Sequence, residues 1–369
     1  MKKIFYFILL MSFPLFSCGQ TKQDDLLEIP VDIDQNMSLP LSEIVDELMA
    51  IELELTDESL INPDRINRIL LCGDYVISVE LDKILVFGKD GKFVHSIGSK
   101  GQGPGEFTGI RSVASDEKNK RLFVNGFSKF ICYDLMTGNC LKEISITNRN
   151  LSIVDMNYIN DELFMVTEEI ELADEKGKFK HSAVFRLNDD LQITDSCTIR
   201  NTYFERISLS INKFEDYILY GESTVYLYFF DIYLNMTNPF ETVLRDTLYR
   251  LEQNHLIPEL KLKFKNNGID GRGDKFIQLY NMYRSSRYVF AVYHNDLNEN
   301  TYRFCYDTKT GKGYNMQDGY TDDINNIEKR VSIRPLNTDF DVFYYWHTHM
   351  KPDDFEEPNP TLYIGKLKK

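Results

Sequence analysis

The residues able to do chemistry in this chain are few and scattered. His347-Thr348-His349 places two imidazoles at alternate positions, and on a strand both would share one face and could reach one divalent cation. Asp353, Asp354, Glu356 and Glu357 follow, but no spacing fixes a third ligand. No metal is therefore assigned; the His347/His349 pair is the candidate for a divalent cation, and no other cofactor is called for. Arg65, Arg111, Arg206 and Arg334 recur near the starts of apolar runs. Gathered on one axis, they would line a channel as an anion site; ordinary pairing with neighbouring acids is the competing reading. Asp32-x-Asp34-x-Asn36 opens like a calcium loop, yet Met37 stands where that loop needs Gly, so it reads as linker. Arg272-Gly273-Asp274 and Asp246-Thr247-Leu248 match short adhesion and O-glycosylation patterns, each only three common residues long. There is no Gly-x-Ser-x-Gly elbow and no His-Glu-x-x-His, so catalytic residues stay unknown.

Residues this dispersed can meet only if a fold collects them, and the sequence supplies one by repetition. Ile69–Cys72, the turn Gly73-Asp74, Tyr75–Glu80, Ile84–Phe87, the turn Asp90-Gly91 and Phe93–Ile97 read as four antiparallel strands. Asp-Gly between apolar runs predicts a type I′ hairpin with positive φ at both central residues. The pattern recurs at Ile110–Ala114, Leu122–Asn125, Phe130–Tyr133 and Leu141–Ile144. Equivalent second strands are expected at Leu163, Tyr217-Ile218-Leu219, Tyr288 and Val342, at intervals of roughly 41 to 71 residues against a usual blade period of about 40 to 50. The longest interval predicts an insertion at Glu252–Lys275. Six four-stranded sheets bury both faces when they stack radially, which predicts an all-β six-bladed propeller. Leu48–Leu55 is one strand in excess at the start, and the last window, Asp341–His347 with Thr361–Leu367, is one short. The N-terminal strand should therefore complete the last blade, with a short helix expected within Leu39–Glu47.

The chain has 369 residues, 43% hydrophobic and 13% aromatic, enough for a large core. Forty-two Lys and Arg against 57 Asp and Glu give a formal charge of −15, which argues against sequence-independent nucleic-acid binding. Lys2-Lys3, the apolar run Ile4–Phe16 and Ser17-Cys18-Gly19 have the order of a secretory signal, too short to span a bilayer. Leu15-Phe16-Ser17-Cys18 resembles a bacterial lipobox, in which Cys18 is lipidated. The expected division is a signal peptide over 1–17, a tether over 18–38 and a single propeller domain over 39–369. No Cys-x-x-Cys occurs among Cys72, Cys132, Cys140, Cys197 and Cys305; buried thiols are expected, with a Cys132–Cys140 bridge left open.

Ser96-Ile97-Gly98-Ser99-Lys100-Gly101-Gln102-Gly103-Pro104-Gly105-Glu106-Phe107 resembles the glycine-rich blade junction of six-bladed, NHL-like β-propeller lipoproteins of Bacteroidetes. Phe343–Trp346 and Asn359–Lys368 are similar to that family's closing strands. The resemblance implies a periplasmic or surface-facing lipoprotein, with the outer membrane as its expected anchor, and supplies no catalytic residues. The junction glycines also have a mechanical reading, because a chain returning from rim to axis needs unusual φ/ψ. A phosphate loop would open a helix, whereas Phe107–Ile110 enters a strand. The expected role is a membrane-anchored cell-envelope binding or scaffold module for a glycan, peptide or protein, with no nucleic-acid partner. The alternative is a metal-dependent envelope hydrolase or lyase with its site in the channel.

Overall fold

The computed structural model describes residues 26–203, 219–221, 224–229, 245–273, 275–336, 339–349 and 358–369. In chain order they form β1 (Leu27–Val31), the short α1 (Leu41–Ile44) and β2 (Val45–Glu52), and then six sheets. Blade one holds β3 (Ile66–Cys72), β4 (Tyr75–Glu80), β5 (Ile84–Gly88) and β6 (Phe93–Ser96). A junction with two short parallel strands, β7 (Ser99–Lys100) and β8 (Glu106–Phe107), leads to blade two: β9 (Ser112–Asp116), β10 (Arg121–Asn125), β11 (Lys129–Asp134) and β12 (Cys140–Ser145). Blade three holds β13 (Leu151–Ile159), β14 (Glu162–Asp174), β15 (Gly177–Leu187) and β16 (Ile193–Tyr203). Blade four holds β17 (Leu219–Tyr220), β18 (Val225–Leu227), β19 (Thr247–Glu252) and β20 (His255–Phe264). Blade five holds β21 (Ile277–Arg284), β22 (Tyr288–Asn295), β23 (Asn300–Asp307) and β24 (Lys312–Gln317), and a hairpin of β25 (Tyr320–Asp322) and β26 (Ile327–Val331) follows it. Blade six holds β27 (Arg334–Leu336), β28 (Asp339–His347) and β29 (Thr361–Leu367), with β2 as its outer strand.

This is a six-bladed β-propeller. The ring closes as expected: β2 lies antiparallel to β29, with Met49 opposite Ile364 and Ala50 opposite Tyr363. Apolar layers between blades hold the ring together. Leu70, Ile77 and Val86 of blade one meet Val113, Val124 and Ile131 of blade two, and Ile69 and Phe87 meet Tyr344 and Leu362 across the closure. Each sheet thus buries both faces, which explains why its strands read as near-continuous apolar runs.

Three local expectations need correction. Glu252–Lys275 is no insertion: β20 runs through it as the fourth strand of blade four, and the extra length instead separates β18 from β19. Within the expected second strand Tyr217–Leu219, Leu219 belongs to β17, which opens the sheet, while 217 and 218 lie outside the described residues. At Asp90-Gly91 only Gly91 has positive φ (82°), and Asp90 caps the Lys92 amide at 3.1 Å. The outcome is a bulged turn in place of type I′.

The described part of the segment expected as a tether, residues 26–38, is built into the wall. β1 adds to β20 as a parallel fifth strand with Ile29 and Val31 buried. The chain then crosses blade five, where Met37 N–H donates to Asn315 O at 2.7 Å, and meets the hairpin at Ser42, whose amide donates to Asp323 at 3.0 Å.

The two faces of the ring are unlike. Connections from first to second and from third to fourth strands emerge on one face, and none exceeds five residues. Among the described residues the opposite face carries the second-to-third and inter-blade connections, including 53–65, 97–111 and 318–333. Blade three also extends on that side. β13 stops pairing at Leu151 opposite Glu169, while β14 and β15 continue to Asp174 opposite Gly177. Those five further residues reach about 16 Å at about 3.3 Å each.

Candidate binding site at the axial mouth

Inner strands start on the elaborated face, so residues at their starts surround the axial mouth. Arg334 opens β27 with its guanidinium 4.8 Å from the Trp346 ring centre, and Trp346 in turn stacks on Tyr344 at 6.0 Å. Arg334 Nη1 approaches the Asn67 carbonyl at 3.5 Å, the Asn67 amide donates to the Arg111 carbonyl at 3.3 Å, and Arg111 Nη1 to Ser152 Oγ at 3.3 Å. Blades six, one, two and three are thereby linked hand to hand around the opening. Arg111 is half-buried, and no carboxylate among the described residues forms an ion pair with it.

Arg65 is displaced from this row. It ends a 3-10 turn, Pro63–Arg65, and pairs with Asp82 at 3.0 Å, which also takes Lys100 at 3.5 Å. Burial raises the Asp82 carboxyl, but the two cations outweigh it and the net shift is downward. Arg206 and Cys18 lie outside the described residues.

The residue that sequence reasoning missed is Arg68, three positions beyond Arg65. Its Nη2 meets Asp155 Oδ1 of blade three at 2.7 Å, and its Nη1 donates to the carbonyls of Val113 at 3.1 Å and Met156 at 3.2 Å. Arg68 is 5% exposed and Asp155 0%. This pair ties three blades below the mouth. A single charge inside Ile66–Cys72 was the available signal, since a lone Arg in an apolar strand must find a buried partner.

The glycine-rich junction holds the chain's own carboxylates. Gly103 N–H donates to Glu106 at 2.7 Å and Gly105 N–H to Glu143 at 2.8 Å, and Lys129 crosses to Glu143 at 3.1 Å. A Cβ on Gly101 would stand 2.0 Å from Glu106 Oε2. The amides that could cradle a phosphate are thus occupied internally, in line with the mechanical reading.

His347 and His349 do come together, with ring centres 4.6 Å apart, and His349 Nε2 lies 2.8 Å from the Tyr363 hydroxyl. Burial and the neighbouring His349 push His347 below the usual histidine value. Asp353, Asp354, Glu356 and Glu357 lie outside the described residues, among which no three His, Cys, Asp or Glu side chains are grouped to hold a metal. Arg272 pairs with Asp270 at 3.1 Å, and Thr247 donates to Asp246 at 3.0 Å. Cys132 and Cys140 are both free; Cys132 turns inward, where burial raises its thiol to about 11, and Cys140 faces out.

A family model for a domain of unknown function, DUF4934, matches residues 26–368. The chain belongs to the DUF4934 family. No curated protein matches it. Among solved structures this DUF4934 chain is similar to a "putative exported protein" of Bacteroides fragilis, with 17% identity and a TM-score of 0.63, covering 93% of this chain and 100% of that one. It also aligns with the Pan2 WD40 domain of Neurospora crassa (11% identity, TM-score 0.40, 82% and 76% covered). A third match is the extracellular domain of the BT4673 one-component system of B. thetaiotaomicron (12% identity, TM-score 0.42, 85% and 35% covered). At these identities the likeness concerns the fold. No helix among the described residues of the DUF4934 chain is long and apolar enough to cross a membrane.

Proposed function

We propose that this DUF4934 protein is a binding or scaffold module of the cell envelope, held at a membrane through a lipid on Cys18. Its elaborated face would be presented to a glycan, peptide or protein. The observation that carries this reading is the asymmetry of the ring: among the described residues the long connections 53–65, 97–111 and 318–333, and the blade-three arm, lie on the face that bears the Arg111–Arg334 mouth. Loops on a rigid scaffold are where binding residues concentrate. The lipobox resemblance and the exported B. fragilis neighbour favour an envelope location, the outer membrane first.

Photo-cross-linking in intact cells tests the face. Benzoylphenylalanine at Lys100 or Lys176, on the elaborated side, is expected to trap a partner, whereas Asp74 or Lys309 on the short-turn side is not. Adducts only from the short-turn side would overturn the reading. A mass measurement of the membrane-extracted chain checks acylation at Cys18. The alternative, a hydrolase or lyase, needs several ligands converging on one cation. A stoichiometric metal in the purified protein would favour it over binding.

A further inference from the structure

The second-to-third connection of blade two contains a conformation that packing does not require. Phe127 has φ 65°, and Ser128 N–H donates to Gly126 O at 2.9 Å across it, which makes a γ-turn with positive central φ. That turn is rare and strained, above all for a bulky side chain. Core burial does not offset the strain, because Phe127 is 54% exposed. One edge of its ring lies over Gly109, where a Cβ would stand 2.7 Å from Phe127 Cε2 and 3.5 Å from the Leu81 carbonyl.

Two exposed leucines belong to the same neighbourhood. Leu81, 38% exposed, takes the Ile110 amide on its carbonyl at 2.7 Å, and the carbonyl of Leu60, 53% exposed, takes Lys83 Nζ. Arg65 and Lys100 both pair with Asp82, the residue after Leu81, and Arg111 follows Ile110 at the mouth. In a chain of charge −15, a cationic edge beside exposed Phe and Leu is a local inversion. Aliphatic side chains beside the aromatic ring suit a peptide more than a sugar, which stacks on aromatic faces.

We infer that Leu60, Leu81 and Phe127, edged by Arg65, Lys100 and Arg111, form a docking surface for a peptide segment of another protein that carries a carboxylate next to an apolar side chain. The apolar side chain sits on Phe127 and the leucines, and the carboxylate faces Arg111. The inference rests on the binding-module reading and names the partner class for its face.

The test uses the folded domain and an array of twelve-residue peptides in which Asp/Glu content and Leu/Phe content vary independently. Binding is expected only where both are present, to weaken as salt rises, and to fall at least tenfold in Phe127→Gly and in Arg111→Ala. Glycine adopts positive φ freely, so Phe127→Gly should melt at the wild-type temperature or above it. A merely structural Phe127 would lower the melting temperature. The inference is overturned if no peptide binds, if neutral or basic peptides bind equally, or if Phe127→Gly binds like wild type. It is likewise overturned if an acidic polysaccharide takes the peptide's place, or if the surface proves to pair two copies of this chain, seen as a dimer that Phe127→Gly dissociates. Partner adducts from Lys176 that persist when Leu81 yields none would keep the elaborated face and remove only this surface.

Discussion

Arg68 and Arg111 come from neighbouring inner strands and have opposite circumstances. Arg68 is buried, bonded to Asp155 and to two carbonyls of other blades. Arg111 is half-buried at the mouth and, among the described residues, its side chain reaches a serine hydroxyl at 3.3 Å. The first arginine is fully committed to holding the ring, because a guanidinium taken out of water needs charge and hydrogen bonds around it. The second is half-buried at the mouth, with no ion pair to a carboxylate among the described residues. Depth along the axis, more than residue type, separates the two arginines.

The sharpest way to break this contrast is to remove one partner of the deep pair. Arg68→Ala should cost about 3–5 kcal/mol by stranding Asp155, read as a lowered denaturant midpoint. Replacing both, as Arg68→Met with Asp155→Leu, should recover most of that loss; no recovery would mean that the carbonyl contacts matter more than the charge pair. Next in size is the closure. Ile51 of β2 is buried in the core between blades six and one, and Ile51→Ala should cost about 2–4 kcal/mol, with the loss appearing in hydrogen exchange of β29 before that of β10.

A third expectation concerns a pair at the short-turn rim. The hydrogen bond from Arg287 to Asp307, 2.7 Å, holds that carboxyl down at about 2. A depressed folded value stabilises above the unfolded value and is lost as pH falls through the folded one. Stability of the native protein should therefore drop between about pH 4 and pH 2 by on the order of 2 kcal/mol from this group, a component reduced in Arg287→Ala, where the Lys309 amide and Thr310 still favour the carboxylate. The smallest effect belongs to the mouth. Arg111→Ala should change stability by under about 1 kcal/mol, read by thermal melting. A larger drop would place Arg111 with Arg68 as a structural residue.

Much of the ring was legible because repetition is a statement about chain direction and burial together. Asp-Gly and Gly-Asp turns, apolar runs of strand length, and one strand in excess at the start against one lacking at the end are local facts, and they led to six sheets and to Ala50 beside Tyr363. The candidate site was legible only in part. Arg111 and Arg334 do reach the mouth, yet Arg65 was favoured over Arg68, because a strand's start cannot be fixed to within three residues and side chains alternate sides along it. His347 and His349 lie together as alternation predicts, whereas nothing local suggests that Leu27–Val31 docks on a strand more than two hundred residues later.

The amino-acid order by itself determined the class of fold, the number of blades and their closure, since these follow from periodic burial and turn chemistry within a few residues. Tertiary structure alone decided which arginine is buried, where the N-terminal segment runs, and that Phe127 is held outward at positive φ. Those outcomes depend on which blades meet and at what depth, and contacts between residues far apart in the chain leave no periodic trace in it.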